Sequence, residues 1–239
     1  MSCEEKRYLV DDKMCHQSGA RILSTSRCFD PLLLPYAKLP MPTSSTTAAY
    51  HHGDLPAALR RAGWDLLGES GLRGLTLRAC ARRAGVSHAA PAHHFGSLDG
   101  LLADVAADGY ERMLARILAT QREVDDPLMG CGLGYIRFAL EFPQHFRLML
   151  GLDVRALRWP RLTEASAAAM ACLRETVRAQ WIARHASDPG AALLEQRTVL
   201  AWSAVHGYAS LAIDGKHEAL LGIAPELVFA PLLKGLFEL

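Results

Sequence analysis

No stretch of this 239-residue chain holds the about 20 consecutive apolar residues that a membrane-crossing helix needs. Its first residues mix acids and bases with no apolar centre, so a secretory leader is not expected. No segment alternates apolar and polar residues over strand length, which leaves an all-α fold as the expectation. The six cysteines, Cys3, Cys15, Cys28, Cys80, Cys131 and Cys172, never fall into a C-x-x-C pair. The expectation is a reduced, cytoplasmic protein whose thiols are mostly small buried apolar groups.

Catalytic signatures are missing as well. There is no plausible pair of carboxylates, no nucleophile beside a base, and no glycine loop for phosphates: Gly132-Leu133-Gly134-Tyr135 has neither the spacing nor the strand context. The chain is expected not to be an enzyme and to need no cofactor. His51-His52 and His93-His94 are adjacent pairs, and neighbours on a helix point about 100° apart, so neither pair chelates by itself. No Cys or carboxylate set completes a tetrahedral site, so no metal is expected. Formal net charge is only +1, and half of the residues are hydrophobic.

What is present concentrates in residues 50–102. Leu55, Ala58, Leu59, Ala62, Leu66 and Leu67 share one face of a first helix, with Arg60, Arg61, Asp65 and Glu69 on the other. Gly71 and Gly74 mark its stop. Thr76 is a suitable N-cap for a second helix with Leu77, Cys80, Ala81 and Ala84 as its apolar stripe. Arg78, Arg82 and Arg83 face out, Gly85 supplies a sharp turn, and Val86 is placed to plug the space between helices. Ser87 caps a short third helix over roughly 88–95, in which Pro91 is awkward because it removes a helix bond. Ser97 caps a long fourth helix with Leu98, Leu101, Leu102, Val105, Met113 and Ile117 on one face. Two short helices joined by a tight turn and flanked by longer ones form a helix-turn-helix. Residues 51–98 carry six arginines against three acids and five of the ten histidines, a modest local basic bias.

In the order and spacing of YHHGDL, LTLRACARRAGVS, the AP-HHF segment and the LL after it, residues 50–102 resemble the DNA-binding domain of the TetR family of transcriptional regulators. The resemblance implies roles by position. Tyr50, His51 and His52 match an arm near the minor groove or backbone. Thr76 and Arg78 match phosphate or base contacts. Ser87 caps the reading helix, and His88, Ala89, Ala90, Ala92, His93 and His94 lie in its groove-facing segment, with Phe95 locking it to the core. Two positions depart from the family: Ala92 stands where a Tyr is usual and Leu98 where a Lys is usual. Both usual residues hold phosphate, so affinity and its salt slope are expected to fall unless Arg78, Arg82 or Arg83 compensates.

The remaining sequence divides simply. Residues 1–49 match nothing in the family; they are expected to be a disordered arm or, with Met41 as the true start, a mis-annotated extension. Residues 50–97 form the reading domain, and 98–239 a helical ligand-binding and dimerisation domain entered through a connecting helix at 98–120. Asp125-Asp126-Pro127 opens a helix that Pro143 ends, a short helix runs to Gly151, and longer ones follow at 161–185, 191–213 and from Pro225. The 191–213 helix is apolar nearly all round and is expected to be buried on all sides, partly by a second subunit. Trp202, His206 and Gly207 resemble the Trp-His-Gly signature of one group of TetR C-terminal domains; His206 is expected to make a structural hydrogen bond.

The resemblance implies a homodimer on a palindromic double-stranded operator, more in the manner of a repressor, released by a small, largely apolar effector. Candidate effector contacts are Phe138, Phe142, Phe146, Met149, Trp159, Met170, Trp181, Trp202 and His206. The alternative is a degenerate member that binds a ligand or a protein partner without tight DNA binding.

Overall fold

The computed structural model describes residues 55–152, 159–215 and 223–237, and these are all-α, as the pattern requires. Tyr50, His51 and His52, with the whole of 1–49, lie outside the described residues.

The reading domain opens with α1 (Leu55–Gly74). Leu59, Ala62, Leu66 and Leu67 are buried on the expected face. The regular helix breaks at Gly71, whose φ is 64°. Helix α2 (Leu77–Ala84) begins at Thr76, whose Oγ1 accepts the Ala79 N–H at 3.1 Å. It ends at Gly85 in the left-handed region, φ 68°, with Val86 N–H donating back to the Ala81 carbonyl at 3.0 Å. A side chain at Gly85 would be strained, which is why the turn requires glycine.

Helix α3 (Ala90–Phe95) starts two residues later than the sequence suggests. Ser87 caps a turn, its Oγ accepting the Ala89 N–H at 3.2 Å, and the helix proper follows. Pro91 causes no difficulty: it sits in the first helical turn, where its missing N–H would have no partner anyway.

Helix α4 (Leu98–Gln121) is the shared backbone of the molecule. Ser97 caps it by accepting the Gly100 N–H at 3.2 Å. Its near end packs on α1 and α3. The rest packs on α5 (Pro127–Glu141), α6 (Pro143–Gly151) and α7 (Pro160–His185). Asp126 caps α5 by accepting the N–H groups of Leu128 at 2.8 Å and Met129 at 3.1 Å. The α4–α5 crossing is tight because Gly130 and Gly134, one turn apart, let backbone meet backbone. A Cβ on Gly134 would lie 2.6 Å from Ile117 Cα, and one on Gly130 2.7 Å from Gln121 Cα.

Helices α8 (Ala191–Ile213) and α9 (Pro225–Leu236) complete the described fold. The expectation that α8 is buried on all sides does not hold in the single chain. Ala201 and Ala209 are buried, but Val199 and Leu200 are nearly half exposed, because α5, α7 and α9 cover only part of its circumference.

Arg60 also departs from its assigned outward face. It turns toward α4, where its Nε lies 3.5 Å from Asp108 and its Nη1 3.8 Å from Asp104. Arg161, at the start of α7, holds the same two carboxylates and Glu111. One ionic cluster therefore joins α1, α4 and α7.

Candidate nucleic-acid interface and effector cavity

The reading head presents one small exposed surface. Arg78 and Arg82 on α2 are exposed, as are Ser87, His88 and Ala89 in the turn and Ala92, His93 and His94 on α3. Ala90 is half-buried, Pro91 is buried, and Phe95 packs on the core, so α3 is held by its other side. Thr76 spends its acceptor on the α2 cap and keeps its hydroxyl proton for an outside oxygen. Arg83 is already engaged: its guanidinium clasps Glu69 at 2.7 and 2.5 Å and holds that carboxyl below the usual range. Of the arginines that could replace the usual Tyr and Lys, Arg78 and Arg82 make no ion pair among the described residues. Leu98, in the place of the usual Lys, is half-buried against the core.

Behind the head, α4 through α9 enclose a cavity of about 330 Å³. Its walls include Tyr110 and Met113 from α4, Cys131 and Tyr135 from α5, Phe146 and Met149 from α6, Ser166 and Met170 from α7, Trp202 from α8, and Leu232 and Leu233 from α9. No Asp, Glu, Lys, Arg or His lines it. Its hydroxyls are partly committed to the protein: Tyr110 donates to the Met149 carbonyl at 3.4 Å, and Ser166 to the Thr163 carbonyl at 3.0 Å. Burial pushes both Tyr110 and Tyr135 up, so their hydroxyls stay neutral.

Of the nine expected effector contacts, Phe146, Met149, Met170 and Trp202 line this cavity. The others do not. Phe138 is core beside Phe142, and Phe142 meets the edge of Trp64. Trp159 packs on Gly100, and Trp181 stacks on His185 with ring centroids 3.9 Å apart. His206 stands behind the wall, its Nδ1 3.0 Å from the Tyr135 hydroxyl. That is the structural hydrogen bond expected of it, and burial lowers its pKa. Tyr110, Cys131, Tyr135 and Ser166 were missed. The available signal was a polar group set within an apolar helix stripe.

Cavity and head meet through α6. His145 precedes the cavity residue Phe146 and is buried against Trp64 of α1. Its Nε2 lies 3.0 Å from the Trp64 carbonyl, and the two rings stack at 3.7 Å. The Arg112 guanidinium covers the Trp64 ring at 3.9 Å. His145 Nδ1 is buried with no partner, so the neutral tautomer with its proton on Nε2 fits the site. Burial pulls the imidazole down to about 4.

Comparison with known proteins points one way. Residues 59–105 match the family model for bacterial regulatory proteins of the tetR family, and residues 128–236 match that for the tetracyclin repressor-like C-terminal domain. A solved structure of a protein of unknown function from Rhodococcus sp. RHA1 is 30% identical, with a TM-score of 0.64 over 79% of this chain and 96% of that one. SCO4313, a presumed regulatory protein, is 26% identical, with a TM-score of 0.57 over 75% of this chain and 93% of that one. The multidrug binding protein EbrR, solved with imidazole, shares the fold at 19% identity and a TM-score of 0.50, over 77% of this chain and 94% of that one. No curated protein matches the chain.

Proposed function

Because the chain belongs to the TetR family of transcriptional regulators, whose helix-turn-helix reads DNA, we propose that it is a dimeric repressor released from a palindromic operator by a small, uncharged, largely apolar molecule. The observation that carries this reading is the uncharged cavity whose α6 wall continues, one residue on, into the His145–Trp64 contact with the reading head. A ligand that displaces Phe146 or Met149 moves the helix on which the head rests. It shifts DNA affinity by the difference between its affinities for the two positions of that helix.

The cavity favours effectors without charge, since nothing in its lining answers one. On the DNA side, Thr76 and Arg78 are assigned to phosphate. His88, Ala89, Ala92, His93 and His94 are assigned to the major groove, where alanine suits a thymine methyl and histidine a base edge. Val199, Leu200 and Leu211 on α8 and Leu227 on α9 are exposed in the single chain. A second copy covering them forms the dimer that two half-sites require.

Fluorescence anisotropy on DNA from upstream of the gene, against scrambled DNA at two salt concentrations, tests the reading. Tight, selective, salt-sensitive binding that a small apolar compound reverses supports it. Equal weak binding to both DNAs favours a second reading, a member that has lost tight DNA binding. That reading draws on Ala92 and Leu98, where the usual phosphate-holding hydroxyl and cation are absent.

A further inference from the structure

Helix α4 sets Asp104, Asp108 and Glu111 on one face, at i, i+4 and i+7. Two arginines reach that face from different helices, Arg60 from α1 of the head and Arg161 from the first turn of α7. They approach the same atoms. Asp108 Oδ1 lies 2.5 Å from Arg161 Nη2 and 3.5 Å from Arg60 Nε, and Asp104 Oδ2 lies 3.8 Å from Nη1 of each. Arg161 also holds both oxygens of Glu111, at 2.8 and 2.9 Å, and the Asp104 carbonyl at 3.0 Å. We propose that Arg60 and Arg161 compete for Asp104 and Asp108, so that the firmer the hold of α7 on these oxygens, the looser the hold of the head on α4.

The sharing is unequal. Arg161 has hydrogen bonds, whereas Arg60 stands at 3.5 and 3.8 Å, beyond the about 2.7–2.9 Å of a guanidinium–carboxylate hydrogen bond. The Arg60 Nε is buried and has no hydrogen-bond partner. A buried N–H left without an acceptor is costly, and the oxygen that would satisfy this one is held by Arg161. The side chains of Arg60 and Asp108 are only 25% and 17% exposed, so water is a poor substitute. Three carboxylates face two guanidinium groups, and burial keeps Asp104 above its usual range despite both cations. With Arg161 withdrawn, one cation remains among three carboxylates. Arg60 then closes on Asp108, and its Nε gains the acceptor it lacks.

Helix α7 is placed to work this exchange. Just beyond Arg161, its residues Thr163, Ser166, Ala167 and Met170 line the cavity. Thr163 is tied back to the start of the helix, its N–H and Oγ1 donating to the Trp159 carbonyl at 3.1 and 3.2 Å. Trp159 in turn packs at Gly100 of α4, where a Cβ would lie 3.0 Å from its ring and would also strike the carbonyl of Phe95, the last residue of α3. The first turn of α7 therefore touches the cavity, the carboxylates and the end of the reading helix. A molecule that pushes this turn outward draws Arg161 off Asp108 and hands the oxygen to Arg60. That consequence, and any effect on DNA, rests on the repressor reading above, but the competition itself does not.

Hydrogen exchange of the purified full chain, read by mass spectrometry without DNA or ligand, tests the competition by its sign. Arg161→Met should slow exchange in peptides of α1 by about two- to fivefold, the size of one well-made, partly exposed ion pair. In Arg60→Met/Arg161→Met that slowing should disappear. Two arginines that instead support each other through shared carboxylates would give faster α1 exchange in Arg161→Met. Faster or unchanged exchange overturns the proposal. Arg161→Lys keeps the charge and most of the stem but loses the fork that spans Asp108 and Glu111. It should slow α1 in the same direction by less, and it decides the matter if the Met variant unfolds. Slowed exchange in a protein that binds no operator would keep the competition and remove the repressor reading alone.

Discussion

Acid should loosen the reading head through one histidine. In the unfolded chain His145 takes its proton near pH 6.5, and in the folded chain only near 4. Between those values the unfolded state binds more protons, so stability rises with pH across the window. The contribution is complete above pH 6.5 and is lost as pH falls toward 4. Over the whole window it is worth about 3 kcal/mol, and about 2 kcal/mol of that is gone by pH 5. The structural reason is local. Protonation would put a second N–H on Nδ1, which is buried without an acceptor, and a cation near the Arg112 guanidinium. His145→Gln keeps a donor for the Trp64 carbonyl and removes the titration. Urea unfolding followed by tryptophan fluorescence, at pH 7.5 and 5.0, should show the wild type losing about 2 kcal/mol more than the variant. Equal losses in the two proteins would refute the assignment of a depressed imidazole whose Nδ1 has no partner.

Other perturbations separate the parts of the molecule. Gly134→Ala should cost about 1–2 kcal/mol in thermal or urea unfolding despite the helix propensity it gains, because its Cβ meets Ile117 backbone at 2.6 Å. Gly109→Ala meets only side-chain atoms of Met149, at 2.5 Å from Sδ and 3.0 Å from Cγ, rather than backbone, so it should cost less but alter ligand binding in the cavity. Leu200→Glu should give a folded monomer by sedimentation, and an unchanged dimer would move the subunit interface elsewhere. Arg78→Ala should weaken binding to all DNAs and lower the salt slope by about one phosphate contact. His94→Ala should instead narrow the gap between operator and scrambled DNA in the same anisotropy assay.

The local signals were the most legible. Thr76 and Ser97 cap the helices they were assigned to, α5 opens at the expected Asp125-Asp126-Pro127, and Gly85 turns where expected, because caps and turns depend on neighbours within a few residues. The start of α3 was misplaced by reading Ser87 as a direct cap and Pro91 as an obstacle. The cavity was only half legible. Periodicity says that Phe138, Phe146, Met149 and Trp181 face inward, and all four are buried. It does not say whether an inward side chain meets another side chain or a space. Trp64 lies off the apolar stripe of α1, and its burial is explained only by His145 of α6, Phe142 before it and Arg112 of α4.

The cluster of Arg60, Asp104, Asp108 and Arg161 gives the reading head a second mooring, built of ions where the one at Trp64 is neutral. Added salt leaves a stacked, uncharged imidazole alone but competes with partly exposed carboxylates and guanidinium groups. A salt titration of operator binding will therefore read two quantities at once: counterions released from phosphate, and slack let into the mooring. Its slope counts DNA contacts correctly only in a chain where Arg60→Gln has already cast off the ionic line.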